Sequence, residues 1–525
     1  MLHQLLYRLK TPAVPVPGME AMLSSQSLLF KALFIAAISV SLLFTWLLGR
    51  KSKLNVPILG ADQGVSKKDR INRYINQPRE LMWEGYTKYG NQVWGIDTHD
   101  GVKAVIPPQF INDLKSHPAL SFKASIDNDM LTDYTYFGAP PEFVINAVRS
   151  SLTPSLPNYI PIFHQMIKKH QKGLLGTYDD WTSVQVSGPV LRLASILSAR
   201  AFHSSEASMN PDWLDVATGY VHAVLDSIKA LKRWPPYLRP FVHRFLPERA
   251  AIAQQRSKAR KIVAASLQRK QSNGGAPLDD PPTMLDHLSS GKNHNIATDI
   301  EKQVLYQMTL VAVGTVTTFS TVTQCLYDLA GHPEIIPDLR EEAISVLKQS
   351  KGLLNKESLS ALKKMDSFMK ECQRFSSPDL TTFQRAATED MNLPDGTFIP
   401  KGTKLETATC SIHADEQHYE NPDQFDAFRF YRKRQVPGQE NKNMFVSVGS
   451  NDLAFGFGKH ACPGRFLSHV VIKCFLVEFL LHYDIKSAPG VGRPKNIEFE
   501  AFVDPDPTAE VLLQTIHVGE PEFLD

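Results

Sequence analysis

Apolar positions fall into three patterns along this chain. The first is an unbroken run. From Leu28 to Leu48 the sequence reads LLFKALFIAAISVSLLFTWLL, and the 17 residues after Lys31 carry no charge. At about 1.5 Å per residue, about 20 helical residues cross a bilayer core of about 30 Å. The run therefore predicts one transmembrane helix over 28–48, with Lys31 snorkelling and Trp46 at the interface. Arg50, Lys51 and Lys53 follow at once, then Lys67, Lys68 and Arg70, against Arg8, Lys10 and Lys31 on or before the run. This bias predicts a cytosolic body and a short lumenal tail over 1–27. A cleaved signal peptide is the other reading. It would need a very long charged lead, and no A-x-A-like site follows the run.

The second pattern is helical and dominates the rest. IEKQVLYQMTLVAVGTVTTFSTVTQCLYDLAG, 300–331, is apolar on nearly every side, which predicts a helix buried all round. Gly331 and Pro333 mark its end. PGRFLSHVVIKCFLVEFLLHYD, 463–484, predicts another helix with Pro463 in its first turn. The third pattern is short and β-branched: DGTFIPKGTKLETATCSI, 395–412, predicts small strands. Residues 271–297, rich in Gly, Pro, Ser and Asp, predict a surface loop rather than a domain boundary. There is no internal repeat. The pattern gives a mainly α fold with a small β part, preceded by the anchor. The divisions are a tail over 1–27, the anchor over 28–48, a basic and Pro-containing linker over 49–60, and one body over 61–525.

Composition narrows the function. With 43% hydrophobic and 21% charged residues, the chain affords a large core. A net charge of +3, without a dense basic tract interleaved with aromatics, excludes nucleic acid as a natural partner. The five cysteines are 325, 372, 410, 462 and 474, with no CxxC among them. An odd number so spaced argues against a disulfide scaffold or zinc finger. Four read as small buried hydrophobes.

Cys462 stands apart, in FGFGKHACPGR, 455–465. If Pro463 opens a helix, the sulfur lies at that helix's N-terminus, where unpaired N–H groups favour thiolate. Gly456 and Gly458 let backbone approach a neighbour closely, and Phe455 can pack against it. Apolar framing suits a thiolate held dry on a soft metal better than a nucleophile.

Phe455-x-x-Gly458-x-His460-x-Cys462-x-Gly464 resembles the haem-binding signature of the cytochrome P-450 haem-thiolate enzymes, with His460 where many members carry Arg, a variant of the fungal branch. The resemblance implies that Cys462 is the axial ligand of haem b iron, its thiolate favouring O–O cleavage, with His460 near a propionate. Further matches follow the family's order. Glu371 and Arg374, in MKECQRF, share a helix face, and Arg429, in DAFRF, completes the family's ion network, a structural role. Arg385, in FQRAATEDMNLPDGTFIPKGT, matches a propionate partner, and Arg149, in VRSSLTPSL, is a weaker one.

On the long helix, Val313-Gly314-Thr315-Val316-Thr317-Thr318 stands where the family has small, Gly, any, acid, Thr, Thr/Ser. Gly314 would let dioxygen and substrate approach. Thr317, with Thr318 beside it, could bond back to the Val313 carbonyl or donate toward oxygen. Val316 is a departure, because an acid–alcohol pair normally passes the protons that O–O cleavage consumes. Water and the threonines could serve instead, or the substrate's own hydroxyl. Asp379, in SSPDLTT, could orient a substrate hydroxyl or face solvent.

The resemblance covers about residues 56–515. It implies a monooxygenase taking electrons from NADPH through a separate cytochrome P-450 reductase, since no GxGxxG unit is evident. The anchor and apolar helix suit a lipophilic substrate, such as a terpenoid or related specialised metabolite, and an endoplasmic reticulum membrane with the body facing the cytosol. The missing acid leaves room for an isomerase, a dehydratase or a peroxide-driven enzyme. A haem-binding sensor without turnover is the rival from another class.

Overall fold

Apart from Ala36 and Ser39, the computed structural model describes residues 54–290 and 299–516. The chain divides into two units, Met1–Leu54 and Asn55–Asp525. The predicted anchor over 28–48 otherwise falls outside the described residues, as do the tail and residues 49–53 of the linker. The second unit is the body described below.

The eight longest helices among the described residues are α1 Thr153–Leu175, α2 Ser187–Phe202, α3 Pro211–Lys232, α4 Glu248–Ser272, α5 Ile300–Gly331, α6 Ile336–Gln349, α7 Lys363–Phe375 and α8 Arg465–His482. A five-stranded sheet contains β1 Trp94–Thr98, β2 Gly101–Val105, β3 Leu120–Ser121, β4 Thr382–Ala387 and β5 Lys404–Thr407, in the order β1-β2-β5-β4-β3. β2 and β5 run parallel, and the other neighbours antiparallel. The mainly α reading holds.

α5 forms where the sequence placed it. Asp299 caps its start by accepting the Lys302 N–H at 3.1 Å, and Gly331 ends it. It packs against α2, α3, α4 and α8, so its apolar residues are buried on several sides at once. That explains an apolar helix without an obvious polar face. It is long and apolar enough to cross a membrane, but most of its length lies inside the body. The expectation of burial all round needs one correction: Val313 and Thr317 are exposed in the middle of the helix. They share a face at i and i+4, so they mark a strip opening on a space.

Two other expectations change. α8 begins at Arg465, with Gly464 as its cap, so Pro463 stands just ahead of the helix in a turn. The expected surface loop over 271–297 contains a buried one-turn helix, Met284–Leu288. Its apolar residues Met284, Leu285 and Leu288 join the main core, and Thr283 and Asp286 cap it reciprocally. Asp286 also pairs with the buried Lys270 at 3.0 Å, which a Gly/Pro-rich composition does not reveal. In 395–412, strands form at Phe398–Ile399 and Lys404–Thr407, joined by turns, and the end of the stretch enters a short helix, Thr409–His413.

Candidate active site

The cysteine loop is closed by its own backbone. The Cys462 N–H donates to the Phe455 carbonyl at 2.8 Å. Gly456 and Gly458 adopt φ of +68° and +66°, a region that side chains rarely enter. At Gly456 a Cβ would also stand 3.2 Å from the His460 carbonyl oxygen, so glycine is needed there twice over. A single 3-10 turn, Gly458–His460, then presents His460 and leads to Cys462.

Burial pushes the Cys462 thiol up, while the N–H groups of Gly464 and Arg465 and the Arg465 guanidinium pull the other way. Burial wins. The expected preference for thiolate at the helix start is therefore not met by the helix alone. A thiolate there needs a cation at the sulfur, which a metal supplies.

Basic side chains gather around this loop. The Arg149 guanidinium donates to the Lys459 carbonyl at 2.6 Å, from a π-helical turn over Val148–Leu152. Arg385, on β4, is buried, and its one bond is to the Gln384 carbonyl at 2.8 Å. Burial pushes it down to about 10. Arg465 donates to the Cys462 carbonyl at 2.7 Å, and its Nε is buried without a partner. His460 packs against Phe122 with centroids 5.4 Å apart and planes at 32°, and is pushed down to about 4 by burial, then by Arg385, Lys459 and Arg149.

Among the described residues, none of Arg149, Arg385, Arg465 and His460 has a carboxylate within ion-pair distance. Arg385 is buried, Arg149 and Arg465 are half-buried, and His460 is a neutral donor; buried cations are normally paired. A donor set of this kind fits a dianionic, planar group carrying two carboxylates and an iron that takes the sulfur, which is haem b.

The expected ion network is present. Arg374 donates to Glu371 through Nε at 3.0 Å and Nη2 at 2.8 Å, and Arg429 Nε donates to Glu371 Oε1 at 3.2 Å. All three are buried. The remaining donors are used as well: Arg374 reaches the His413 and Pro422 carbonyls at 2.7 and 2.8 Å, and Arg429 reaches Gln424 at 3.0 Å. The Asp426 N–H adds a bond to Glu371 at 3.0 Å. The network thus ties α7 to the segment between His413 and Arg429.

On α5 the Thr317 hydroxyl donates to the Val313 carbonyl at 2.9 Å. Of the two options open to it, the backward bond is the one formed. Val316 is partly exposed beside it, whereas Thr318, the next residue on from Thr317, is buried. Gly314 has a packing role that the sequence did not show. A Cβ there would stand 2.8 Å from Phe202 Cζ and closer still to Cε2, so the glycine admits the ring of α2.

Asp379 does not face solvent freely. Burial first, then Asp504 and Glu406, push its acid up to about 7, and its backbone bridges to Phe502. Sequence reasoning missed Arg465, Phe122 and Phe202. Arg465 stood in the quoted motif directly after CPG. The two aromatics are long-range neighbours, for which the sequence carries no local signal.

A half-buried cysteine loop ringed by three arginines that have no carboxylate partner defines a haem-thiolate site. The family model for cytochrome P450 matches residues 142–513. Over 485 residues the chain is 33% identical to the cytochrome P450 monooxygenase braC of Annulohypoxylon truncatum, covering 91% of this chain and 96% of that relative. It is 32% identical over 448 residues to the cytochrome P450 monooxygenase AN1598 of Emericella nidulans, covering 84% of this chain and 83% of the relative. The chain belongs to the cytochrome P450 family. It is a monooxygenase with a haem-thiolate iron cofactor, as its fungal relatives are, and such enzymes work with a reductase and lipophilic substrates. The isomerase, dehydratase, peroxide-driven and sensor readings give way to this one.

Proposed function

We propose that Cys462 is the axial ligand and that Arg149, Arg385, Arg465 and His460 hold the haem carboxylates, in a membrane-bound enzyme oxidising a lipophilic specialised metabolite such as a terpenoid. The observation that carries this is the convergence of four basic groups, none paired with a carboxylate, on the loop that holds the one cysteine set between glycines.

When bound, haem supplies the iron at which dioxygen is reduced and from which one oxygen atom enters the substrate. The chain's own residues do the rest. The loop fixes the sulfur by the Cys462–Phe455 bond. Thr317 holds its proton on the Val313 carbonyl and offers its oxygen to a water on the exposed strip. With Val316 carrying no proton, delivery would run through that water, which Thr317 positions by accepting from it.

Membrane association has support within the body itself. Trp234, Tyr237, Phe241 and Phe245 are exposed within 12 consecutive residues, at 43%, 72%, 65% and 84%. Arg233, Arg244 and Arg249 are exposed beside them. Aromatic side chains mixed with arginines suit the lipid headgroup level. With the apolar run over 28–48, this supports a single-pass protein of the endoplasmic reticulum with the body on the cytosolic face.

Expression with a cytochrome P-450 reductase in a host fed candidate terpenoid precursors, followed by mass spectrometry, tests the reading. A mass gain of one oxygen supports hydroxylation or epoxidation. Loss of two hydrogens indicates desaturation, ring closure or alcohol oxidation. A full terpenoid panel returned unchanged would remove the substrate class.

A further inference from the structure

A second buried ionic cluster lies between α7, α8 and the chain that leads to the cysteine loop. Its centre is Asp366, on the first turn of α7 and 2% exposed. Asp366 Oδ1 accepts from His469 Nε2 at 3.0 Å and pairs with Lys473 Nζ at 3.0 Å, both on α8. Oδ2 accepts from Arg434 Nη1 at 3.1 Å and from the Phe445 N–H at 2.9 Å. Lys473 spends its other protons on the Leu359 and Leu362 carbonyls, at 2.9 and 3.1 Å. One carboxylate therefore joins three cationic or protonatable side chains and one backbone N–H from three separated stretches.

The position of Phe445 gives this cluster its meaning. Its ring is fully buried and meets Phe455 edge-on, with centroids 5.2 Å apart and planes at 87°. It also lies against His469, with centroids 6.2 Å apart. Phe455 is the residue whose carbonyl accepts the Cys462 N–H. A continuous path thus runs from Asp366 through the Phe445 backbone and ring to Phe455 and the cysteine. A second path runs through His469 and Lys473 into α8, the helix that follows Cys462.

We infer that Asp366 is a positioning residue for the Cys462 loop, fixing from one point both the Phe445–Phe455 wall and the helix that follows the sulfur. The inference rests on Cys462 being the iron ligand. The Glu371 network holds the segment from His413 to Arg429 and makes none of these contacts. The two clusters therefore divide the work, and Asp366 is the one joined to the loop.

Losing a partner that touches a metal ligand directly typically costs about 10- to 100-fold in metal affinity or activity; Asp366 acts through Phe445 and Phe455, so the low end of that range is expected. The other charged groups facing the cluster are Glu342, within electrostatic reach of Lys473, and Lys364, whose N–H donates to Glu342 at 2.7 Å. Neither reaches Asp366 by an ion pair, and neither substitutes for it.

The test uses the full-length, haem-loaded protein and four variants: Asp366→Asn, Phe445→Leu, Asp286→Asn and Cys462→Ser. Asp286→Asn breaks the distant buried pair with Lys270 and serves as a control of similar cost to stability. Two readouts are taken well below each variant's unfolding temperature. One is the rate of haem transfer to excess apomyoglobin. The other is the persistence of the red-shifted Soret band of the reduced carbon monoxide complex, which reports thiolate ligation. Asp366→Asn should release haem about tenfold faster or more and lose the thiolate band first. Phe445→Leu should move both readouts in the same direction by less, and it carries the test if Asp366→Asn does not fold. The inference fails if both variants match Asp286→Asn in both readouts. If Cys462→Ser keeps the thiolate band, the ligand assignment itself fails, and that outcome is separate.

Discussion

Gly314 and Phe202 are packed so closely that no side chain fits between them: a Cβ on Gly314 would stand 2.8 Å from Phe202 Cζ and closer to Cε2. This contact joins α5 to α2 at the level of Val313 and Thr317. Gly314→Ala must push either the ring or the helix, which costs about 1–3 kcal/mol for overpacking. Thermal unfolding of the holoprotein should show the loss, and Phe202→Leu in the same chain should restore part of it. No recovery in the double variant would mean that the glycine serves something other than this ring.

Glu371 has both its oxygens used by Arg374, Arg429 and the Asp426 N–H. Glu371→Gln leaves two buried guanidinium groups without a counter-charge, at a cost of about 3–5 kcal/mol. Soluble holoprotein should fall sharply on expression. A yield and unfolding midpoint within error of wild type would contradict a structural role for the network.

Val316→Asp places an acid beside Thr317, on a partly exposed stretch of α5. It supplies the proton donor that the chain lacks. The share of NADPH oxidation that appears as oxidised substrate should rise, with less peroxide released. Identical coupling in both proteins removes Val316 from the proton pathway.

His203 and His413 are buried, and burial pushes each down to about 4. Both are neutral in the folded protein at neutral pH. An unfolded chain takes up their protons near pH 6.5, before the folded one does. Their stabilising contribution is therefore full above about pH 6.5 and is lost as the pH falls toward about 4, on the order of 3 kcal/mol each. Unfolding midpoints should drop steeply across that range. The drop should shrink in His413→Gln; an unchanged slope would place the acid sensitivity elsewhere.

Much of the site was legible because its chemistry is local. FGFGKHACPGR encodes its own turn through two glycines with positive φ, so the loop is visible in 11 letters. Glu371 and Arg374 lie one helical turn apart, and Arg429 follows in a fixed order, so the network could be assembled from spacing and resemblance. What was hidden depends on tertiary neighbours. The ring that claims Gly314 comes from Phe202, on another helix, and no pattern around 314 announces it. The buried turn at Met284–Leu288 was masked by a Gly- and Pro-rich stretch, although its apolar spacing of i, i+1 and i+4 was present. Asp366 carries no local signal, because Arg434, Phe445, His469 and Lys473 converge on it only in the fold.

The central claim is that Cys462 holds the haem iron through its sulfur. The most direct measurement is the carbon monoxide difference spectrum of the reduced, haem-loaded protein, wild type against Cys462→Ser. The account predicts the red-shifted Soret band of thiolate ligation in the wild type and its loss in the variant. A wild-type spectrum without that band, or a variant that keeps it, would contradict the claim.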